Sequence, residues 1–170
     1  MTVVVCIARP DSRGTIIAHS ANPLDRPSIR PNYLSATSDV RALLAGIAHA
    51  RRIFAAPLLA RYSAVETMPG ADVQSDEALT RFLREAGTNL HHPVGTCRMG
   101  EGDPMAVVDS RLRVRGLEGL RVVDASVMPT VTTGNTNAPT IMIGEKGAAM
   151  IREDAASFTA AGAAPSRSAA

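Results

Sequence analysis

The chain has no tryptophan, two tyrosines and three phenylalanines among its 170 residues. So few rings offer no row of stacking platforms. The 18 Lys and Arg set against 16 Asp and Glu leave a net charge of +2 without a dense basic cluster, which argues against a nucleic-acid surface. Cys6 and Cys97 form no CxxC pair, so no disulfide framework is expected and a reducing compartment is the default. No apolar run approaches the ~20 residues of a membrane-spanning helix. The apolar stretch Met1–Ala8 lacks the basic lead and long core of a secretion signal. A soluble, cytoplasmic chain is expected, at most peripheral to a membrane. There is no GxSxG of a serine hydrolase. Gly95 and Gly100 have P-loop spacing, but Glu101 stands where lysine is required. No GxGxxG dinucleotide loop is present either.

Hydrophobic residues make up 45% of the chain, enough for a real core in one domain or slightly more. Residues 3–8 are apolar and β-branched and read as a strand. Arg9-Pro10-Asp11-Ser12-Arg13-Gly14 is turn chemistry, and residues 15–18 read as a second strand, so a hairpin with a longer loop is expected. Proline-rich residues 20–36 read as an irregular connector. Val40, Leu43, Leu44, Ile47, Ile53 and Phe54 recur at helical spacing, with Ser38 or Asp39 as cap and Pro57 interrupting the helix near its end. Ser75 is placed to cap a second helix over about 76–86, with Asp76 and Glu77 at its positive end and Gly87 ending it. Residues 90–98 read as extended, 107–109 and 112–114 as short strands, and 120–124 as a strong strand. A last helix is expected over Pro139–Arg152, with proline suited to its first turn. Residues 153–170 carry no periodic apolar face and are expected to be a disordered tail.

The candidate chemistry centres on His91-His92-Pro93-Val94-Gly95-Thr96-Cys97. Neutral imidazole accepts a proton near neutral pH. In an extended segment only one of two neighbouring histidines faces a given pocket. A structural or surface role for His92 is the competing reading. A metal module on His91, His92 and Cys97, with Asp103 nearby, is a rival that lacks known zinc spacing. Asp124 ends the 120–124 segment and can face a ribose-like hydroxyl or cap the turn at Ser126. Asn135 and Asn137 lie in a Gly/Asn turn, where they serve turn and cap chemistry or expose N–H groups to an anionic ring.

Taken together, Arg9–Gly14, Pro31-Asn32-Tyr33-Leu34-Ser35, His92–Gly100, Val123–Pro129 and Gly134–Thr140 resemble motifs of the glucose–methanol–choline (GMC) oxidoreductases. The likeness is to the C-terminal region of the choline dehydrogenase-like and alcohol dehydrogenase branch, over residues 1–152. It implies an α+β fold: residues 1–90 form a partial substrate-binding domain, an antiparallel sheet with helices. Residues 91–152 supply the C-terminal strand and helix of an FAD-binding domain. It implies FAD as cofactor, a small-molecule alcohol as substrate and a quinone or oxygen as electron acceptor. By the resemblance His92 is the catalytic base and Asn135 the second catalytic residue. Asp124 and Ala125 line the ribityl–pyrophosphate part of FAD, and Asn137, Pro139 and Thr140 lie beneath its ring. Because family members carry a GxGxxG half that these residues lack, a fragment or half of a split enzyme is expected, served by a separate N-terminal FAD-binding chain. The alternative is a truncated, inactive remnant acting only through binding.

Overall fold

The computed structural model describes residues 1–62 and 65–162. The chain divides into two compact units, Met1–His91 and His92–Ala170. In the first, β1 (Thr15–Ile17) pairs antiparallel with β2 (Ser28–Arg30), Thr15 opposite Arg30 and Ile17 opposite Ser28. The expected hairpin between residues 3–8 and 15–18 is therefore corrected. The partner strand comes from the proline-rich connector, and residues 3–8 join no ladder among the described residues. The reversal between β1 and β2 is closed by side chains: the Ser20 hydroxyl and the Asn22 amide donate to Asp25, at 2.5 and 2.8 Å. Gly14 lies where a β-carbon would meet the Arg30 carbonyl oxygen at 2.3 Å, so only glycine fits beside β2.

Helix α1 (Thr37–Phe54) follows the expected periodicity, but neither Ser38 nor Asp39 caps it. Ala36 is the cap residue and offers no side-chain acceptor. Asp39 is instead buried, 3% exposed. Its carboxylate accepts the N–H groups of Asp11 and Ser12, both at 2.8 Å, and the Ser12 hydroxyl at 2.5 Å. The Arg9–Gly14 turn is thus tied to the first turn of α1. The short α2 (Pro57–Ala60) starts on Pro57, whose missing N–H needs no partner there. Arg51, near the end of α1, anchors the 66–74 loop through Glu66 at 2.8 Å and the Val73 carbonyl at 2.8 Å. Helix α3 (Asp76–Ala86) is capped by Ser75, which accepts from Ala78 N–H at 3.1 Å. It packs on α1, and Ile47 and Leu79 are the buried apolar residues of these two helices.

In the second unit the core is Val108, Leu112, Val127, Met128 and Ile143, with Val94, Met99 and Val123 packed against it. The strands expected at 107–109, 112–114 and 120–124 shrink to isolated bridges, Met99–Val108, Val108–Val114 and Arg113–Arg121. Local turns interrupt them. Leu112 has φ 64, and the Asp109 carboxylate gathers the N–H groups of Arg111 and Arg113 at 2.9 and 3.0 Å. Helix α4 runs from Asn137 to Gly162, ten residues beyond the expected end at Arg152. Its extension is rich in alanine, the strongest helix former. Arg111 and Arg121 both hold Asp154, the former at 2.7 Å. Part of the tail expected to be disordered is thus helical, and residues 163–170 lie outside the described residues. Gly147 lets α4 approach the core: a β-carbon there would lie 2.4 Å from Val123 Cγ1 and 3.3 Å from Leu112 Cδ1. No helix among the described residues is long and apolar enough to cross a membrane. Helices with a small antiparallel sheet make the chain α+β, although the strand expected before α4 is only a bridge.

Candidate active site

Three segments of the second unit meet. The 92–99 segment is bonded along the short 3-10 turn Ala125–Val127. Gly95 and Cys97 donate to the Ser126 carbonyl at 3.0 and 3.1 Å, and Met99 donates to that of Val127 at 2.8 Å. Gly95 reaches this arrangement at φ 88, in the left-handed region open to glycine. The third segment is the turn into α4. Across it, His92 Nδ1 lies 2.9 Å from the Thr136 hydroxyl, 44 residues along the chain.

Thr136 is the site residue that sequence reading missed. It is buried, 7% exposed. Its carbonyl accepts both the N–H of Thr140 at 3.0 Å and the Thr140 hydroxyl at 2.6 Å, which makes Thr136 the cap residue of α4. A threonine cap ordinarily turns its side-chain oxygen to the N–H two or three positions on. The third position here is Pro139, which has no N–H. One of the two usual partners is thereby missing, and although Ala138 keeps its N–H, the hydroxyl lies against His92. A Thr three residues before a Pro at a helix start is the signal that could have pointed to it.

The residues expected at the site are distributed as follows. His92 is half-buried and His91 exposed. The division is not strand alternation: His91 has φ 59 and its N–H donates to the Asn89 side chain at 2.9 Å, so a tight turn separates the two rings. Residues 90–98 are therefore irregular and not the extended segment expected. Asn135 is exposed in the turn next to Thr136, and Asn137 is exposed as the first residue of α4. Pro139 and Thr140 are half-buried in the first turn, and the Thr140 hydroxyl is committed to the helix backbone. Asp124 caps the 3-10 turn, accepting from Ser126 N–H at 2.7 Å, the local alternative weighed for it. One oxygen makes that bond, and the residue is exposed. Ala125 is half-buried within the turn.

Arg98 binds Asp103 at 2.8 Å. The Arg98 hydrogen bond, followed by the Met105 N–H, holds the Asp103 carboxyl below its ordinary value. Among the described residues no three His, Cys, Asp or Glu side chains gather to hold a metal.

A family model described as GMC oxidoreductase matches residues 10–144. The chain belongs to the GMC oxidoreductase family. It is 51% identical over 150 residues to an alcohol dehydrogenase [acceptor] of Pseudomonas putida, covering 88% of this chain and 27% of that protein. It is 52% identical over 145 residues to an oxygen-dependent choline dehydrogenase of Stenotrophomonas maltophilia, covering 85% of this chain and 26% of the relative. The solved structure of an FAD-dependent oxidoreductase from Chaetomium thermophilum superimposes with a TM-score of 0.79 at 30% identity, over 86% of this chain and 26% of that one. The chain thus spans about a quarter of the length of the GMC relatives it matches. The family match takes in His92, Asp124 and the turn into α4 together.

Proposed function

We propose that the chain is the catalytic part of an FAD-dependent alcohol oxidoreductase, oxidising a CH–OH group to an aldehyde or ketone. Residues 1–90 contribute to its substrate-binding domain and residues 91–152 to its FAD-binding domain. The observation that carries this reading is a half-buried His92 whose Nδ1 is bonded by Thr136 at the edge of the Asn135–Asn137 turn. With Nδ1 so engaged, Nε2 is the nitrogen left to take the hydroxyl proton of the alcohol. Asn135 presents an amide donor to the same oxygen as negative charge grows on it, the kind of contact that favours a transition state.

The donor set fits a flavin. The first N–H groups of α4, at Asn137 and Ala138, have no partner within the helix and carry the positive end of its dipole. The Thr132 hydroxyl beside the turn is buried without a hydrogen-bond partner among the described residues. Asp124 keeps one carboxylate oxygen for a ribityl hydroxyl while the other holds Ser126, with Ala125 beside it. Pro139 and Thr140 offer packing surface, since the Thr140 hydroxyl is already used. When bound, the flavin supplies the acceptor for the hydride leaving the alcohol carbon. A GxGxxG segment outside these residues, on a separate N-terminal chain, would hold the ADP portion, and a quinone or oxygen would take the electrons onward.

The test is co-expression with the N-terminal flavin-binding portion of the Pseudomonas putida alcohol dehydrogenase. A yellow complex that oxidises an alcohol is expected. In it, His92→Ala should lower turnover by roughly 10²–10⁴-fold, the usual size of a general-base contribution, with flavin retained. A preparation with neither flavin nor alcohol oxidation refutes the reading.

A second reading, an inactive remnant acting through binding, is favoured by exposed large apolar side chains such as Leu24 at 88% and Val4 at 67%. Bare apolar surface of this kind marks sites of association. A monomeric chain that melts cooperatively on its own would count against it.

A further inference from the structure

We propose that Thr136 is the positioning residue of His92: its hydroxyl oxygen accepts the Nδ1 proton, fixing the ring in the tautomer that leaves Nε2 bare. The inference rests on the reading of His92 as the base and extends it to a residue outside that role.

A neutral imidazole carries one ring proton, and a partner at one nitrogen decides which form is kept. If the Thr136 hydroxyl donated to Nδ1, Nε2 would hold the proton and have no lone pair for an alcohol. If Thr136 accepts, Nε2 is free to take one. The geometry favours a fixed acceptor. The backbone of Thr136 is pinned by two bonds to its carbonyl, from the N–H and the hydroxyl of Thr140. Pro139 withholds one of the two N–H groups that could compete for Oγ1, and Thr136 is 7% exposed, so water competes little for the oxygen. A hydroxyl has two lone pairs, so it can take the Nδ1 proton and still direct its own hydrogen elsewhere. On the other side, Gly95 and Cys97 fasten the chain that carries His92 to Ser126. The ring is thereby held between two parts of the same unit.

The experiment reads the tautomer directly. Ring-nitrogen NMR of the 170-residue chain, at a pH where the ring is neutral, tells a protonated nitrogen from a bare one at His92. The proton is expected on Nδ1 in the wild type and in Thr136→Ser, which keeps the hydroxyl. Thr136→Val should move the proton to Nε2 or mix the two forms. A proton on Nε2 in the wild type, or a Thr136→Val ring indistinguishable from wild type, overturns the proposal. If Thr136→Val fails to fold, the wild type and Thr136→Ser still decide it. In the flavin-loaded complex Thr136→Val should lower kcat about tenfold to a hundredfold, the scale on which partners that orient a histidine act, with KM little changed. The tautomer needs no activity to be read, so its failure and the failure of the oxidoreductase reading are separate results.

Discussion

Asp39→Ala tests what holds the first unit together. The carboxylate is buried, and it takes two backbone N–H groups and one hydroxyl from the Arg9–Gly14 turn. A hydrogen bond to a charged group contributes roughly 1.5–3 kcal/mol, so three of them set a ceiling of roughly 5–9 kcal/mol. Asp11 is exposed and Ser12 half-buried, so both amides regain water once the carboxylate is gone. A loss of about 3 kcal/mol is expected after that rehydration. Asp39→Asn keeps one acceptor and should fall between wild type and alanine. Urea unfolding of the 170-residue chain measures the loss, and hydrogen exchange at the Asp11 and Ser12 amides localises it. The effect also has a sign in pH. Burial pushes the Asp39 carboxyl up, but the Ser12 hydroxyl, the Asp11 and Ser12 N–H groups and the charge of Arg13 outweigh it, leaving it below its ordinary 3.8. A group lowered on folding stabilises fully above its unfolded value and loses that contribution as pH falls through the folded one. The gap between wild type and Asp39→Ala should therefore close below about pH 4. An Asp39→Ala chain with an unchanged urea midpoint and equally protected Asp11 and Ser12 amides refutes the reasoning.

Three further outcomes are expected. Gly147→Ala puts a β-carbon against Val123 and Leu112 and should cost about 1–3 kcal/mol by overpacking; Val123→Ala in the same chain should recover part of it in urea melts. Ser75→Ala removes the side-chain acceptor that caps the α3 start and should cost about 1 kcal/mol, read as a lower urea midpoint and faster exchange at the Ala78 amide. Acid should loosen the second unit too. Asp154, lowered first by its Arg121 hydrogen bond, and Asp109, lowered by Arg113 and Arg111 N–H groups despite burial, share the sign of Asp39. Stability monitored from pH 6 downward should fall as these carboxylates protonate, and a flat profile to pH 2 would contradict that.

Helices α1 and α3 were legible because their signals are local. Apolar residues return every three or four positions, and Ser75 with Gly87 marks the ends of α3. Residues 15–18 read as a strand and form β1, but strand pairing was not legible, because a ladder exists only by its partner. Residues 3–8 have strand composition and pair with nothing among the described residues, while Ser28–Arg30, between two prolines, finds β1. Residues 120–124 look like a core strand, yet the Asp109 and Asp124 turns leave only one bridge there. His92, Asn135 and the start of α4 stand out by their motifs, whereas Thr136 leaves only a faint local mark, Pro139 three residues on, because the ring it meets lies 44 positions away.

The amino-acid sequence by itself determined the family, helices α1 and α3, the first part of α4 and the residue types of the candidate site, all of which depend on near neighbours and ordered motifs. Tertiary structure alone decided that Asp39 is an anchor and not a cap, and that Thr136 turns from its own helix to His92. Both choices follow from where a buried polar atom finds its partner, and such partners lie dozens of residues away along the chain.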